Sequence, residues 1–293
     1  MVHRFVLHNE TIREAGEAFL KPGQVGLLSG WGVFTTLRIA GGVLFAWERH
    51  WARMRRDAAV LRVPFPPDAD AVEHRLLELV RANQAHEAAM RVAILRNRGA
   101  SWEGPGIERP WDLIALTADL TDWGEAVRLA VAPQARHATG RFAGTKVLSW
   151  GFNLALLEEA QSRGFDEVIL LNERGEVSEC TSANIFAIVG HRVWTPPLSS
   201  GCLPGITREI LLQELRVPGV EIGERELYLQ DLERADEVLI TSTTRNLLPV
   251  SEIEGLPLPR RGTTGALLRR AFEAYVEEYV AKRRPASVLR RSP

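Results

Sequence analysis

The chain is poor in cysteine. Only Cys180 and Cys202 occur in 293 residues, too few for a disulfide framework and in keeping with a reducing cytoplasm. Long apolar runs are missing too. The opening "MVHRFVLHNE" lacks the hydrophobic stretch of a signal peptide, and no segment reaches membrane-spanning length. Neither sign of charge is in excess: 36 Lys and Arg face 37 Asp and Glu, a formal net charge of −1. Such a balance gives no electrostatic grip on nucleic acid or an anionic membrane. These absences predict a soluble cytoplasmic protein.

Several catalytic signatures are absent as well. The seven histidines stand singly, with no pair at helical spacing, which argues against a zinc site, and no other metal site is expected. "GRFAGTK" has the wrong glycine spacing for a phosphate loop, and its lysine does not follow glycine. No GxSxG elbow marks a serine hydrolase, and no GxGxxG runs from strand into helix.

What is present is ordinary globular material, 45% hydrophobic and 25% charged, on a chain about twice the length of one typical domain. Two domains of mixed α and β structure are predicted. "RFVLHNETI" reads as a strand with a turn, and "GVFTTLRIAGGVLFAW" as a hairpin tipped by Gly41 and Gly42. "ERHWARMRRDAAVLRV" and "ADAVEHRLLELVRANQA" have helical spacing, the first stopped by Pro64, Pro66 and Pro67. "AAMRVAILRN" and "WDLIALTAD" are strands. The pattern breaks at "DLTDWGE", which places a small α/β domain at 1–118, a linker at 119–125 and a larger domain at 126–280. The basic end, 281–293, reads as a flexible tail. The larger domain opens with strand "AVRLAVAPQ" and the loop "ARHATGRFAGT", then the stretch "GTKVLSWGFNLALLEEA", which carries Lys146 into a helix ending near Gly164. Strands "DEVILL", "GEVSE", "NIFAIV", "RVWTP" and "ADEVLITST" follow, with helix "GITREILLQEL" among them.

Four stretches carry chemistry: Lys146, "EVSECTSANIF", "LPGITRE" and "ITSTT". Singly, each has a plain structural reading. Lys146 is a solvated lysine near a helix start, Glu179 an outward strand residue, "GITRE" a threonine cap with a following glutamate, and "TSTT" a polar strand end. Together they describe one chemistry. A partly desolvated lysine amine can condense with an aldehyde cofactor. Pyridoxal phosphate needs a carboxylate at its ring nitrogen. Its phosphate needs a helix N-terminus, hydroxyls and an arginine.

From "GWGVFTTLR" to "LPVSEI" the chain resembles the fold-type IV pyridoxal phosphate enzymes, the class IV aminotransferases. Branched-chain and D-amino acid aminotransferases and aminodeoxychorismate lyases belong to that family. The resemblance is densest over "KVLSWGFNLALLEEAQSRGFDEVILLNERGEVSECTSANIF" and "LPGITRE". It implies an α+β fold with a small N-terminal α/β domain, a larger C-terminal domain containing a pseudo-barrel, the cofactor in the cleft between them, and a homodimer. Carried over by position, Lys146 is the Schiff-base lysine and proton shuttle, and Glu179 the partner of the pyridinium nitrogen. Arg53, Ile206, Thr207 and Thr243 are phosphate contacts. Thr244 meets the substrate carboxylate, and Asn184 lies behind the site.

The subfamily is less legible. Branched-chain enzymes usually carry a glutamate and a tyrosine where this chain has Thr35 and Ser29, and often a tyrosine where it has Gly151. Arg91 matches their pocket arginine, and Arg91 and Thr35 are expected to contact the substrate. "FTT-x-R" and "EC-x-x-AN" look more like the lyase, whose glycine-rich "RGxGGRG" loop is replaced by "RNRGASWEGPG". Arg96 or Arg98 in that loop either captures a substrate carboxylate or faces solvent. Trp31, Trp102 and Trp150 either wall the pocket or simply pack. The expected activity is a pyridoxal-phosphate-dependent, ping-pong transfer of an amino group from an amino donor to a 2-oxo acid or related ketone. The alternatives are an aminodeoxychorismate lyase releasing pyruvate and 4-aminobenzoate, and a non-catalytic binder of the cofactor.

Overall fold

A computed structural model describes residues 1–17, 19–99, 101, 103–254, 256–258 and 262–283. Trp102 and the tail beyond Arg283 lie outside the described residues. The backbone divides into two compact units. One is Met1–Thr121 with Lys146–Trp150 and the chain from Val276 on; the other is Asp122–Thr145 with Gly151–Tyr275.

In the first unit the elements run β1 (Val2–His8), β2 (Thr11–Glu14), α1 (Val25–Ser29), β3 (Gly32–Ala40), β4 (Val43–Leu44), α2 (Trp47–Val60), α3 (Ala69–Asn83), β5 (Ala88–Arg96) and β6 (Trp111–Ala118). They form a six-stranded sheet in the order β2-β1-β6-β5-β3-β4, antiparallel throughout. The β3–β4 turn falls on Gly41 and Gly42, whose φ values of 55° and 78° lie where a Cβ is disfavoured. Asp68 caps α3 by accepting from the Asp70 and Ala71 amides at 3.0 Å.

Helix α2 explains the core of this unit. Trp47, Trp51, Met54 and Ala58 recur at helical spacing and pack with Leu37 and Leu76. Truncating a core leucine such as Leu76 to alanine would cost about 2–5 kcal/mol. The buried stripe of α2 also contains three polar residues, His50, Arg53 and Asp57. Ionisable groups enter such a stripe only when partners await them. The short segment Lys146–Trp150 lies along β3: Val147 bridges Val33, Phe34 N–H donates to Lys146 O at 3.1 Å, and Leu148 N–H to Gly32 O at 3.0 Å.

The second unit contains β7 (Val127–Arg136), α4 (Gly151–Ser162), β8 (Glu167–Asn172), β9 (Val177–Cys180), β10 (Asn184–Val189), β11 (Arg192–Thr195), α5 (Ile206–Gln213), β12 (Glu221–Glu224), α6 (Leu229–Glu233), β13 (Glu237–Ser242), β14 (Asn246–Ile253) and β15 (Leu256–Pro257), then α7 (Thr264–Arg283) up to Tyr275. Its nine-stranded sheet has the path β12-β11-β10-β13-β14-β7-β8-β9, with β15 on β14. Strand β7 is parallel to both β8 and β14, and β11 is parallel to β12; the remaining pairs are antiparallel. One face buries Leu129, Ile169, Ile185, Val238 and Ile240, while Ala160 of α4 closes against Ala130, Val168 and Leu170.

The mixed architecture with two curled sheets is the expected fold class. Several elements go beyond the sequence reading. Helices α1 and α6 have five residues each, too short for a periodic signal. The α7 helix runs through Arg283, into the start of the basic end. The helix that follows Lys146 begins only at Gly151.

Candidate active site

Within the first unit, α2 and β3 gather four of the residues singled out above. Thr35, fully buried on β3, stands between two α2 side chains: Arg53 Nη2 donates to its hydroxyl at 2.9 Å, and His50 Nδ1 lies 2.6 Å from the same oxygen. Burial, then the charges of Arg53 and Lys146, push the His50 imidazole well below its ordinary range. Its Nε2 is buried with no hydrogen-bond partner among the described residues. The Lys146 amine lies 4.6 Å from the Phe34 ring centre and 6.0 Å from that of Trp150. The Arg91 guanidinium shares those rings, at 4.4 Å and 5.9 Å. Partial desolvation lowers the Arg91 pKa, and no carboxylate among the described residues opposes that shift.

Within the second unit, Glu179 on β9 is fixed through both oxygens. Oε1 accepts from Arg136 Nε at 3.1 Å, and Oε2 accepts from the Leu203 amide at 3.0 Å. Arg136 also donates to Asn153 Oδ1 at 3.2 Å, and Asn153 Nδ2 donates to Thr181 O at 2.7 Å. Leu203 begins the turn into α5. Asn184 Nδ2 holds its carbonyl at 2.9 Å, and a Cβ on Gly205 would collide with Asn184 Oδ1. The tip of the β13–β14 hairpin carries Thr243 and Thr244. Next to them Arg245 reaches back to Glu167 at 3.2 Å and to Ser182 Oγ at 2.8 Å, with its guanidinium 3.8 Å from the Trp123 ring centre. Desolvation lowers the Arg245 pKa, and Glu167 opposes that shift.

A phosphate needs donors that nothing else has taken. At the start of α5 no side chain caps the first turn, so backbone amides there are available to an anion. The hydroxyl of Thr207 is buried with no partner among the described residues, as is that of Thr241. Each costs about 1–3 kcal/mol if left unsatisfied, a cost that a bound phosphate would offset at Thr207. Glu179, with both oxygens aimed by the chain, offers further lone pairs to a protonated ring nitrogen. The residues present fit pyridoxal phosphate.

The structure thus groups Lys146, Arg53, Thr35 and Arg91 in one unit, and Glu179, Ile206, Thr207, Thr243 and Thr244 in the other. Arg98 is held by Glu103 at 2.8 Å and is half exposed. Arg96 donates to the Arg98 and Arg62 carbonyls. Trp31 donates its indole N–H to Leu61 O at 2.9 Å and carries the Arg96 guanidinium at 4.1 Å. Sequence reasoning missed Arg136, Asp57, His50 and the Glu167–Arg245 pair. Arg136 and Glu179 meet across 43 positions of sequence, and Asp57 hides in the charged run "RMRRDAAV". Only the helical phase of His50, Arg53 and Asp57 could have pointed to a shared buried face.

Comparison with known proteins agrees. Residues 32–253 match the amino-transferase class IV family. A Methanocaldococcus jannaschii protein, provisionally named a branched-chain-amino-acid aminotransferase, is 30% identical over 78% of this chain and 81% of its own. The D-alanine aminotransferase of Bacillus licheniformis is 28% identical over 85% of this chain and 88% of its own. Among solved structures, the branched-chain aminotransferase of the thermophilic archaeon Thermoproteus uzoniensis, with norvaline, superposes with a TM-score of 0.84 at 25% identity. That match covers 95% of this chain and 98% of the other. The free donors at α5, the aimed carboxylate of Glu179 and these likenesses converge: the chain belongs to the class IV aminotransferases and is a pyridoxal-phosphate-dependent transaminase.

Proposed function

We propose that the protein moves an amino group from an amino acid donor to a 2-oxo acid in two half-reactions, with Lys146 as the residue that holds the cofactor and carries the proton. The reading rests on one observation above all. Glu179 Oε2 accepts from the amide of Leu203, in the turn that leads into the uncapped start of α5. One loop therefore ties the carboxylate that suits a ring nitrogen to the amides that suit a phosphate, as a single ligand bearing both groups requires. Bound there, pyridoxal phosphate supplies an electron sink for the bonds at the substrate Cα.

The chain's own groups divide the remaining work. Glu179 keeps the ring nitrogen protonated. Arg53, Ile206, Thr207 and Thr243 bind the phosphate, and Thr35 aligns Arg53 by accepting a hydrogen bond from its Nη2. Lys146 returns the proton to one face as a general acid–base catalyst. Thr244 meets the substrate carboxylate through its amide. Arg91, a partly desolvated cation with no acidic partner among the described residues, receives a second negative group of the substrate. Trp31 and Arg98 are the remaining candidate substrate contacts.

We further assign the protein to the cytoplasm as a homodimer. Both cysteines are buried and unpaired, and among the described residues no helix is long and apolar enough to cross a membrane. Helix α4 leaves Phe152 87% and Leu154 52% exposed, which suits contact with a second copy.

A donor screen tests the activity. The purified holoprotein is mixed with both enantiomers of each amino acid, and conversion of the visible cofactor band to the pyridoxamine form is followed by absorbance. At least one donor should convert it, and a 2-oxo acid should restore it. If none does, and aminodeoxychorismate yields pyruvate and 4-aminobenzoate, the protein is a lyase. A cofactor spectrum unmoved by any amine or by aminodeoxychorismate marks a non-catalytic binder.

A further inference from the structure

Asp57 is a carboxylate in a place where carboxylates are rare. It lies on the buried stripe of α2 and is 1% exposed, so desolvation must be repaid by specific partners. One oxygen, Oδ1, serves the neighbouring Arg56. That partner alone does not explain the burial, because Arg56 is half exposed and could be met at the surface. The other oxygen, Oδ2, accepts the backbone N–H of Lys146 at 3.0 Å.

The bond to Lys146 interrupts a pattern. In an antiparallel ladder, a residue that accepts from its opposite number's amide also donates to that residue's carbonyl. Lys146 O accepts from Phe34 N–H, yet its own amide goes to Asp57 instead. The peptide of Lys146 is therefore held from two sides, its carbonyl by β3 and its amide by α2. With both fixed, the direction of its Cα–Cβ bond is fixed as well, and the amine is delivered over Phe34. An ionised acceptor gives a stronger anchor than a carbonyl would.

On the reading that Lys146 holds the cofactor, we propose that Asp57 is the positioning residue that orients this lysine by binding its backbone amide. Asp57 touches no reacting atom in this role. It sets how often the amine stands where it can bond to the cofactor. Removing its oxygens should shift the equilibrium between lysine-bound and lysine-free cofactor, whereas a bystander carboxylate should change stability alone.

The test compares Asp57→Ala and Asp57→Asn with the wild type, each saturated with pyridoxal phosphate. The ratio of the lysine-bound to the free-aldehyde absorbance band is measured across pH, with circular dichroism as the control for folding. Asp57→Ala should lower the ratio about tenfold, and Asp57→Asn, which keeps an acceptor oxygen, should stay within about twofold of the wild type. A folded Asp57→Ala protein with the wild-type ratio overturns the proposal. If Asp57→Ala does not fold, Asp57→Asn decides. A retained ratio with a Lys146 amide still slow to exchange with deuterium supports the anchor, and a lost ratio overturns it. Borohydride reduction of the wild type followed by peptide mass spectrometry separates the two readings: a label on Lys21 or Lys282 ends the assignment of Lys146 itself, whatever the variants do.

Discussion

Glu179 is held at both of its carboxylate oxygens. Its two oxygens are taken by Arg136 Nε at 3.1 Å and the Leu203 amide at 3.0 Å, with the Glu179 and Arg136 side chains only 12% and 22% exposed. An ion pair this sheltered resists solvent screening, and removing one partner strands the other. Arg136 reaches Glu179 from the end of β7 and Asn153 from the first turn of α4, so one guanidinium fixes the carboxylate against two elements.

The two members of that pair should separate in kinetics. Glu179→Gln removes the charge that would stabilise a protonated ring nitrogen and should lower kcat by about a hundredfold or more. Arg136→Met keeps the charge of the glutamate but loosens its aim, and should cost about tenfold together with a fall in Tm of several degrees. Steady-state rates on the best donor, with Tm measured on the same samples, give the order. A larger loss in Arg136→Met would make the arginine, not the glutamate, the principal group.

Cofactor affinity is the readout for the start of α5. Thr207→Val swaps a buried hydroxyl that has no partner among the described residues for a methyl of the same shape. The protein without cofactor should therefore be as stable as the wild type or slightly more so, while the Kd for pyridoxal phosphate rises about tenfold. Gly205→Ala acts by another route: its Cβ collides with Asn184 Oδ1 and displaces the side chain that holds Leu203. It should weaken cofactor binding and lower Tm together. Equilibrium dialysis and thermal melts distinguish the pair.

Much of this architecture was legible in the sequence because long, strongly patterned segments announce themselves. Helices α2 and α3, and the β3–β4 hairpin with its glycine tip, follow from spacing and turn chemistry alone. Lys146 and Glu179 stand out in the sequence for another reason: a lone lysine before a helix and a glutamate in "VSEC" draw the eye once the proposed chemistry requires both. What stayed hidden is what only folding brings together. No local pattern tells that β7 lies parallel to both β8 and β14. None tells that Asp57 is buried, since "RMRRDAAV" reads as a solvated face until α2 is docked on β3. The five residues of α6 are stabilised by contacts outside themselves, and their sequence carries no period to read.

Acid should weaken the fold through His50. Its imidazole titrates well below the ordinary 6.5 in the folded protein because it is desolvated and faces Arg53 and Lys146. The unfolded chain takes up a proton near pH 6.5 that the folded one refuses. The contribution is thus complete above that pH and is lost as pH falls below it. Denaturant midpoints at pH 8, 6.5 and 5 should decline along this series. His50→Gln should flatten the slope between 6.5 and 5, and an unchanged slope would assign the acid sensitivity to other groups.

Thiol chemistry offers a check on burial beside Glu179 and Leu203. Desolvation pushes the Cys202 thiol up to about 12 and that of Cys180 well above its ordinary value, so neither forms thiolate near neutrality. Ellman's reagent at pH 8 should find almost no reactive thiol in the native protein and both in denaturant. A rapid native reaction would mean that β9 or the turn before α5 opens readily.

Lys146 has only two rivals. The chain holds three lysines in all. Lys21 donates to Gly106 O at 2.7 Å, and Lys282 is a mostly exposed partner of Glu278 at 2.6 Å. Neither environment resembles that of Lys146, whose amine lies over Phe34 beside Trp150 and whose backbone is gripped by α2 and β3. On the proposed reading, Lys146→Ala should abolish the visible band of lysine-bound cofactor and lower kcat by about 10³-fold or more, since it would remove the covalent anchor and the proton carrier at once. Thermal stability should barely change, because the amine is not part of either core. Cofactor should still bind through the phosphate contacts and leave on dialysis, whereas a yellow, borohydride-reducible Lys146→Ala protein would place the covalent chemistry on another residue.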